Sequence, residues 1–96
     1  MQRGSQAALV DTVKPSPARY HALLSHYAFR ELVPLEQVLS RSRNPRIARI
    51  RWQAWRELRR QGFSYPGIGY VANRHHTTVM FGVSELEALT EAPDAV

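Results

Sequence analysis

The sequence contains no cysteine, which excludes disulfides and thiolate metal sites. It also contains no apolar run near the ~20 residues that a bilayer-spanning helix requires. A glycine-rich loop ending in Lys-Ser or Lys-Thr, the usual cradle for nucleotide phosphates, is missing as well. The 96 residues suffice for one domain with a modest core. We therefore expect a cytoplasmic protein with no cofactor, no bound nucleotide and no membrane partner.

Lysine is almost absent too, because twelve of the thirteen cationic residues are arginine. Eight of the thirteen lie within residues 41–60, where Glu57 is the only acid. From Glu85 onwards there are four acids and no cation. A net charge of +5 distributed in this way suits a surface that faces a polyanion. A solvated basic helix accounts for the same distribution, and charge alone does not separate the two interpretations.

Capping signals and hydrophobic periodicity predict an all-α fold, a small helical bundle. Ser16-Pro17 and Asn44-Pro45 each combine a capping side chain with proline at the first helical position. Gly62 and Asn73 suit left-handed helix ends. Helices are predicted over residues 17–32 and 45–61, and a last helix is predicted from 75 or 76 to before Pro93. Leu35, Val38 and Leu39 suit a short second helix, and Ser64 can cap a short fourth helix that precedes the Asn73-Arg74 turn. We interpret residues 1–15 as a mobile arm, 16–90 as the domain and 91–96 as an acidic tail.

The third predicted helix is strongly amphipathic. Its apolar arc comprises Ile47, Ile50, Ala54 and Leu58, with Trp55 beside it. Its opposite side is cationic and carries Arg46, Arg49, Arg56 and Arg60. Trp52 lies towards the edge of the apolar arc and could stack on a base. Core packing explains the other aromatic residues equally well, because they follow helical periods.

The last two predicted helices, joined by a short turn and preceded by a cationic helix, have the layout of a helix-turn-helix domain. In such a pair the start of the second helix enters the major groove, so the candidate base readers are Arg74, His75, His76, Thr77 and Thr78. Arginine can bind guanine through two acceptors, and threonine can contact a base edge or the thymine methyl. An ordinary helix cap explains Thr77 and Thr78 as well.

Four segments together resemble the C-terminal DNA-binding domain of the bacterial replication initiator DnaA. They are Ser40-Arg41-Ser42-Arg43; Ile47, Arg49 and Arg51; Ser64-Tyr65-Pro66-Gly67-Ile68-Gly69; and Arg74-His75-His76-Thr77-Thr78-Val79. The resemblance spans residues 18–89 and implies a Trp-repressor-like or DnaA-like helix-turn-helix fold. It rests on the ordered combination of the segments, since no single segment is specific.

The resemblance also implies roles for individual residues. Arg43 would enter the minor groove, and Arg51 would be the major-groove arginine of the basic helix. Pro66 would bring the backbone near a phosphate, while Arg74, His76, Thr77 and Thr78 would read bases. The sequence departs from the family at Ala72-Asn73-Arg74-His75, where the family has Gly-Gly-Arg-Asp, and at Trp52, where glutamine is common. We therefore expect a recognition site different from that of the initiator.

Several other functions are weighed against double-stranded DNA binding. His21 and His26 are five residues apart and do not share a helix face, so a metal site is disfavoured. No carboxylate pair or ordered Ser-His-Asp motif supports an enzyme. The remaining alternative is an interaction module that binds a replication or transcription partner through helix one. Under the DNA-binding hypothesis, and with no ATPase module in the sequence, we expect a nucleoid-associated protein that acts as a transcriptional regulator or replication accessory. We expect it to be a monomer or a weak dimer.

Overall fold

The computed structural model describes residues 14–91, which form five α-helices and no strand. In chain order these are α1 (Pro17–Arg30), α2 (Leu35–Leu39), α3 (Pro45–Arg60), α4 (Tyr65–Ala72) and α5 (His76–Glu91). The predicted all-α bundle is confirmed. The interpretations of the arm at 1–15 and of the tail at 91–96 fall almost entirely outside the described residues. Within 14–91 no helix is long and apolar enough to cross a membrane.

Side-chain caps fix the starts of three helices. The Ser16 hydroxyl accepts from the backbone N–H of Arg19 at 3.0 Å, and the Ser64 hydroxyl accepts from that of Gly67, also at 3.0 Å. The Asn44 side chain accepts from the N–H of Arg46 at 2.8 Å. Each cap satisfies a donor that has no partner within its helix. The capping signals in the sequence therefore predicted these starts correctly.

The end of α1 differs from the expected one. The helix stops at Arg30, and Leu32 takes a left-handed conformation with φ of 59°. The N–H of Val33 then donates to the carbonyl of Ala28 at 2.9 Å, which closes the helix end. Pro34 disfavours helical geometry at Val33, so the chain must turn before it. Leucine rarely adopts a positive φ, so the sequence pattern around Leu32 did not predict this turn.

The core consists of two neighbouring clusters that share α3. One cluster lies between α1, α2 and α3, and the other lies between α3, α4 and α5. Leu24, Val38 and Ile50 are almost fully buried in the first cluster, as are Leu58, Ile68 and Val79 in the second. Tyr20 and Leu23 pack against both clusters. Helix α3 is thus the central element that fixes the last two helices relative to the first two.

The turn between α4 and α5 is tightly packed. Asn73 adopts the left-handed conformation expected of it, with φ of 58°, and the N–H of Arg74 donates to the carbonyl of Gly69 at 2.8 Å. A side chain at Gly69 would place its Cβ 2.5 Å from the backbone oxygen of Arg74. Glycine is therefore required there for close approach of the two backbones. This packing fixes where α5 begins.

Candidate nucleic-acid interface

The loop between α2 and α3 carries alternating serines and arginines, and the serines bind the backbone. The Ser40 hydroxyl donates to the carbonyl of Gln37 at 2.6 Å and accepts from the N–H of Ser42 at 3.1 Å. The Ser42 hydroxyl accepts from the N–H of Asn44, also at 3.1 Å. Because the serines order the loop, the intervening Arg41 and Arg43 are held at its exposed surface. The alternation therefore has a local structural cause.

Arg51 holds the same loop from beneath. Its Nε donates to the carbonyl of Val38 at 2.8 Å, and its two terminal nitrogens donate to the carbonyls of Ser42 at 2.8 Å and Ser40 at 2.7 Å. The residue is only 7% exposed. The prediction that Arg51 reaches into the major groove is therefore wrong for this structure, because its guanidinium is committed to three carbonyls. Its role is to position the loop.

A groove of about 760 Å³ lies between this loop, the exposed flank of α3 and the start of α5. It brings together Arg43 from the loop, Arg74 from the turn and Thr78 from the first turn of α5. The full lining is Arg41, Ser42, Arg43, Ala48, Arg51, Trp52, Trp55, Arg74, Thr78 and Phe81. Within the part of the chain that the structure describes, no acidic side chain lines this groove, so the charged groups of its wall are arginines.

The first turn of α5 presents two threonines to solvent. His75 caps the helix: its Nδ1 accepts from the backbone N–H of Thr77 at 3.2 Å and lies 2.8 Å from the Thr77 hydroxyl oxygen. The rings of His75 and His76 lie 4.4 Å apart, and His76 is half-buried. Thr78 lines the groove, whereas Thr77 and the exposed edge of His75 lie just outside it. Of these four expected readers, only Thr78 therefore lines the groove, while His75 and Thr77 are exposed close to it in the sequence.

The cationic residues of α3 are divided among several roles. Arg49 and Arg56 lie on the same face as Trp52, at helical spacing, and extend the basic surface beside the groove. Arg46 instead donates to the carbonyl of Glu31 at the end of α1. Arg59 donates to the carbonyl of Phe63 at 2.8 Å and stacks on Tyr65. The expected row of guanidiniums is therefore shorter than the sequence indicated, since Arg46 is turned towards α1.

Trp52 and Pro66 also depart from their expected roles. The indole of Trp52 is half-buried and lies nearly perpendicular to the ring of Phe81, at 6.4 Å between ring centroids. A Cβ at Gly82 would collide with this indole, so the glycine makes room for it. Trp52 thus forms part of the groove wall and is not a free stacking platform. Pro66 is exposed in the first turn of α4 but does not line the groove.

Two residues of the candidate interface were not identified from the sequence. Arg41 lines the groove beside Arg43, and the Ser-Arg-Ser-Arg alternation was a sufficient signal for it. Phe81 lines the groove one turn beyond Thr78 and is 60% exposed. Phe81 follows Thr77 by four residues and Thr78 by three, and residues at these spacings share a helix face. This spacing could have identified Phe81 from the sequence.

Comparison of the chain with family models, with curated proteins and with solved structures finds no match in any of the three. The likeness to the DnaA domain therefore remains a resemblance of motifs.

Proposed function

We propose that this chain is a sequence-specific double-stranded DNA-binding protein, with α5 in the major groove and the Arg41–Arg43 loop at the adjacent minor groove. The observation that carries the proposal is the shared groove: loop arginines, the turn arginine and the exposed start of α5 line one concavity without an acidic residue. A helix-turn-helix domain inserts the start of its second helix into the major groove, and the shared lining supports the proposal because it brings the loop arginines beside the start of α5. We propose a role as transcriptional regulator or replication accessory.

The side chains on this surface divide into two kinds of contact. Thr77, Thr78 and Phe81 can reach base edges and thymine methyl groups, which carry sequence information. Arg49 and Arg56 lie on the flank of α3 and suit phosphate contacts, which position the protein without reading sequence. Arg43 suits the narrow minor groove, whose negative potential attracts guanidinium groups. The proposal therefore predicts separable losses of specificity and of affinity.

The first test is the salt dependence of affinity for random duplex DNA. Arg41, Arg43, Arg49, Arg56 and Arg74 face solvent or the groove, so about five phosphates would be neutralised. Each neutralised phosphate contributes about −0.9 to the slope of log affinity against log salt, which gives an expected slope of roughly −4 to −5. A slope near zero would contradict DNA binding and favour the interaction module.

The second test separates readout from positioning. A duplex site is selected from a random pool, and the double variant Thr77→Ala plus Thr78→Ala is compared with Arg56→Ala on selected and random duplexes. The double variant should lose discrimination between the two duplexes, whereas Arg56→Ala should weaken binding to both about equally. Parallel losses with unchanged discrimination in both variants would show that the threonines do not read bases.

The alternative function, a partner-binding module, is favoured by one observation at the end of α1. Phe29 is 80% exposed and Leu32 is 84% exposed, and they are adjacent in the turn that ends the helix. Exposed apolar clusters often mark protein interfaces. The variant Phe29→Ser tests DNA binding against partner binding. If the protein acts by binding DNA, this variant should keep both its affinity for duplex DNA and its function in cells. A loss of the protein's function in cells without any loss of duplex affinity would favour the module.

A further inference from the structure

A second concavity, distinct from the proposed DNA-binding groove, lies between α1, α2 and α4 and has a volume of about 580 Å³. Its apolar wall includes Leu24 from α1, Val38 from α2 and Val71 from α4. Tyr70 stands at its rim, with the ammonium group of Lys14 4.0 Å from the ring centroid. The wall combines apolar and polar side chains, and the volume falls within the range of small-molecule sites, about 300–1,000 Å³.

The polar groups of this cavity favour an anion. Lys14, Arg51 and Arg74 line it, and among residues 14–91 no acidic side chain does. Burial lowers the pKa of Arg51, and the nearby positive charge of Arg74 lowers it further. Both guanidiniums line this cavity, and an anion placed beside them would offset the repulsion that Arg74 exerts on the charge of Arg51. An organic anion would supply the negative charge that the lining lacks.

The phenol of Tyr20 is a further polar group of the cavity wall. Its hydroxyl accepts from the indole N–H of Trp55 at 3.0 Å. Burial raises the pKa of Tyr20, so the phenol keeps its proton at neutral pH. Because its oxygen acts as acceptor towards Trp55, its own proton can be donated to a carboxylate. Tyr20 and Arg74 can therefore offer two donors to one anionic group.

Arg74 connects this cavity to the groove proposed for DNA, because it lines both. Its only hydrogen bonds within the described residues are long ones, of 3.3 Å and 3.4 Å, to the carbonyls of Ala72 and Asn73. Bonds at those distances hold a guanidinium weakly. The side chain can therefore turn to either surface at little cost.

We propose that this cavity binds a small amphipathic organic acid, with its apolar body against Leu24, Val38 and Val71 and its carboxylate at Arg74 and Tyr20. The bound acid draws Arg74 away from the groove and so weakens binding to duplex DNA. The ligand site stands on the cavity itself, whereas the effect on DNA rests on the proposed function. The two parts are tested separately.

The ligand site is tested with the full chain and no DNA, using the fluorescence of 1-anilinonaphthalene-8-sulfonate, an aromatic anion, as reporter. We expect 2-naphthoate to displace the reporter at least tenfold more effectively than 2-naphthamide, which has the same shape without the charge. Val71→Trp should fill the cavity and abolish the signal, and Arg74→Gln should weaken it with no change in buried volume. Phe29→Ser, which removes an exposed ring outside the cavity, should leave the signal unchanged.

Several results would overturn the site. Equal competition by naphthoate and naphthamide would show that charge is not recognised. Wild-type reporter binding by Val71→Trp would place the reporter elsewhere, and a loss in Phe29→Ser would place it on the exposed end of α1. If Val71→Trp does not melt cooperatively, Arg74→Gln decides the question, since an unchanged reporter affinity in that variant contradicts the proposal.

The effect on DNA is tested by measuring duplex affinity across a salt series with and without saturating 2-naphthoate. We expect a several-fold loss of affinity and a slope shallower by about 0.9, the contribution of one phosphate contact. By linkage, the duplex must weaken naphthoate binding by the same factor. Naphthoate binding with unchanged duplex affinity would refute the coupling alone. Absence of any salt-dependent duplex binding would refute the proposed function and leave the ligand site standing.

Discussion

The role of Arg51 in supporting the loop gives the sharpest prediction about stability. We compare Arg51→Met with Arg49→Met: each variant loses one positive charge from the same helix, and methionine keeps much of the apolar stem. In Arg51→Met the carbonyls of Val38, Ser40 and Ser42 lose their donors. A hydrogen bond to a charged group contributes about 1.5–3 kcal/mol. Arg49 is exposed, so its substitution should change stability by less than about 0.5 kcal/mol.

The three contributions do not simply add in Arg51→Met. Two of the bonds are only partly buried, so water can replace them, and removal of a buried charge recovers part of its desolvation cost. We therefore expect a net loss of about 2–4 kcal/mol in the free energy of unfolding. The measurement is the urea midpoint at an unchanged m-value. Equal midpoints for the two variants, with DNA affinity lost only in Arg51→Met, would refute the structural role and restore Arg51 as a DNA-reading residue.

Three further predictions concern packing, pH and readout. Gly69→Ala should cost about 1–3 kcal/mol, because its Cβ would meet the backbone oxygen of Arg74; an unchanged thermal midpoint would contradict this. Burial raises the pKa of Tyr20, so the folded state retains a proton that the unfolded chain loses above about pH 10. Stability should therefore fall as the pH rises past that value, and Tyr20→Phe should lack this part of the fall in urea titrations from pH 9 to 11. Phe81→Ala should abolish the preference for thymine over uracil in a selected duplex, because phenylalanine contacts the thymine methyl; a retained preference would exclude that contact.

Much of the fold could be predicted because the sequence carries local signals for it. Ser16, Asn44 and Ser64 each precede a helix by one residue, and their caps are all formed. Gly62 and Asn73 take positive φ values at helix ends, as glycine and asparagine readily do. The end of α1 escaped prediction, since Leu32 is a residue that seldom takes such a conformation.

The division of labour among the arginines was harder to predict, although one signal was present. Arg51 follows Ile47 by four residues and precedes Ala54 by three, so helical spacing places it on the buried face. The resemblance to the DnaA domain predicted a DNA-reading role for Arg51, whereas the helical spacing predicted a buried one. The turn of Arg46 towards Glu31 could not be predicted, because that carbonyl is brought near only by the tertiary packing of α1 on α3. Long-range contacts of this kind leave no periodic trace in a sequence.

The most direct measurement is a titration of the isotope-labelled chain with duplex DNA, followed by nuclear magnetic resonance of the backbone amides. We expect the shifts to change most at Arg43, Arg74, Thr78 and Phe81, because these residues line one groove. The amides around Phe29 and Leu32 should stay unperturbed. Shift changes confined to the end of α1, or changes at Arg43 without any at Thr78, would contradict the proposal. In either case the loop between α2 and α3 and helix α5 would not contact the duplex together.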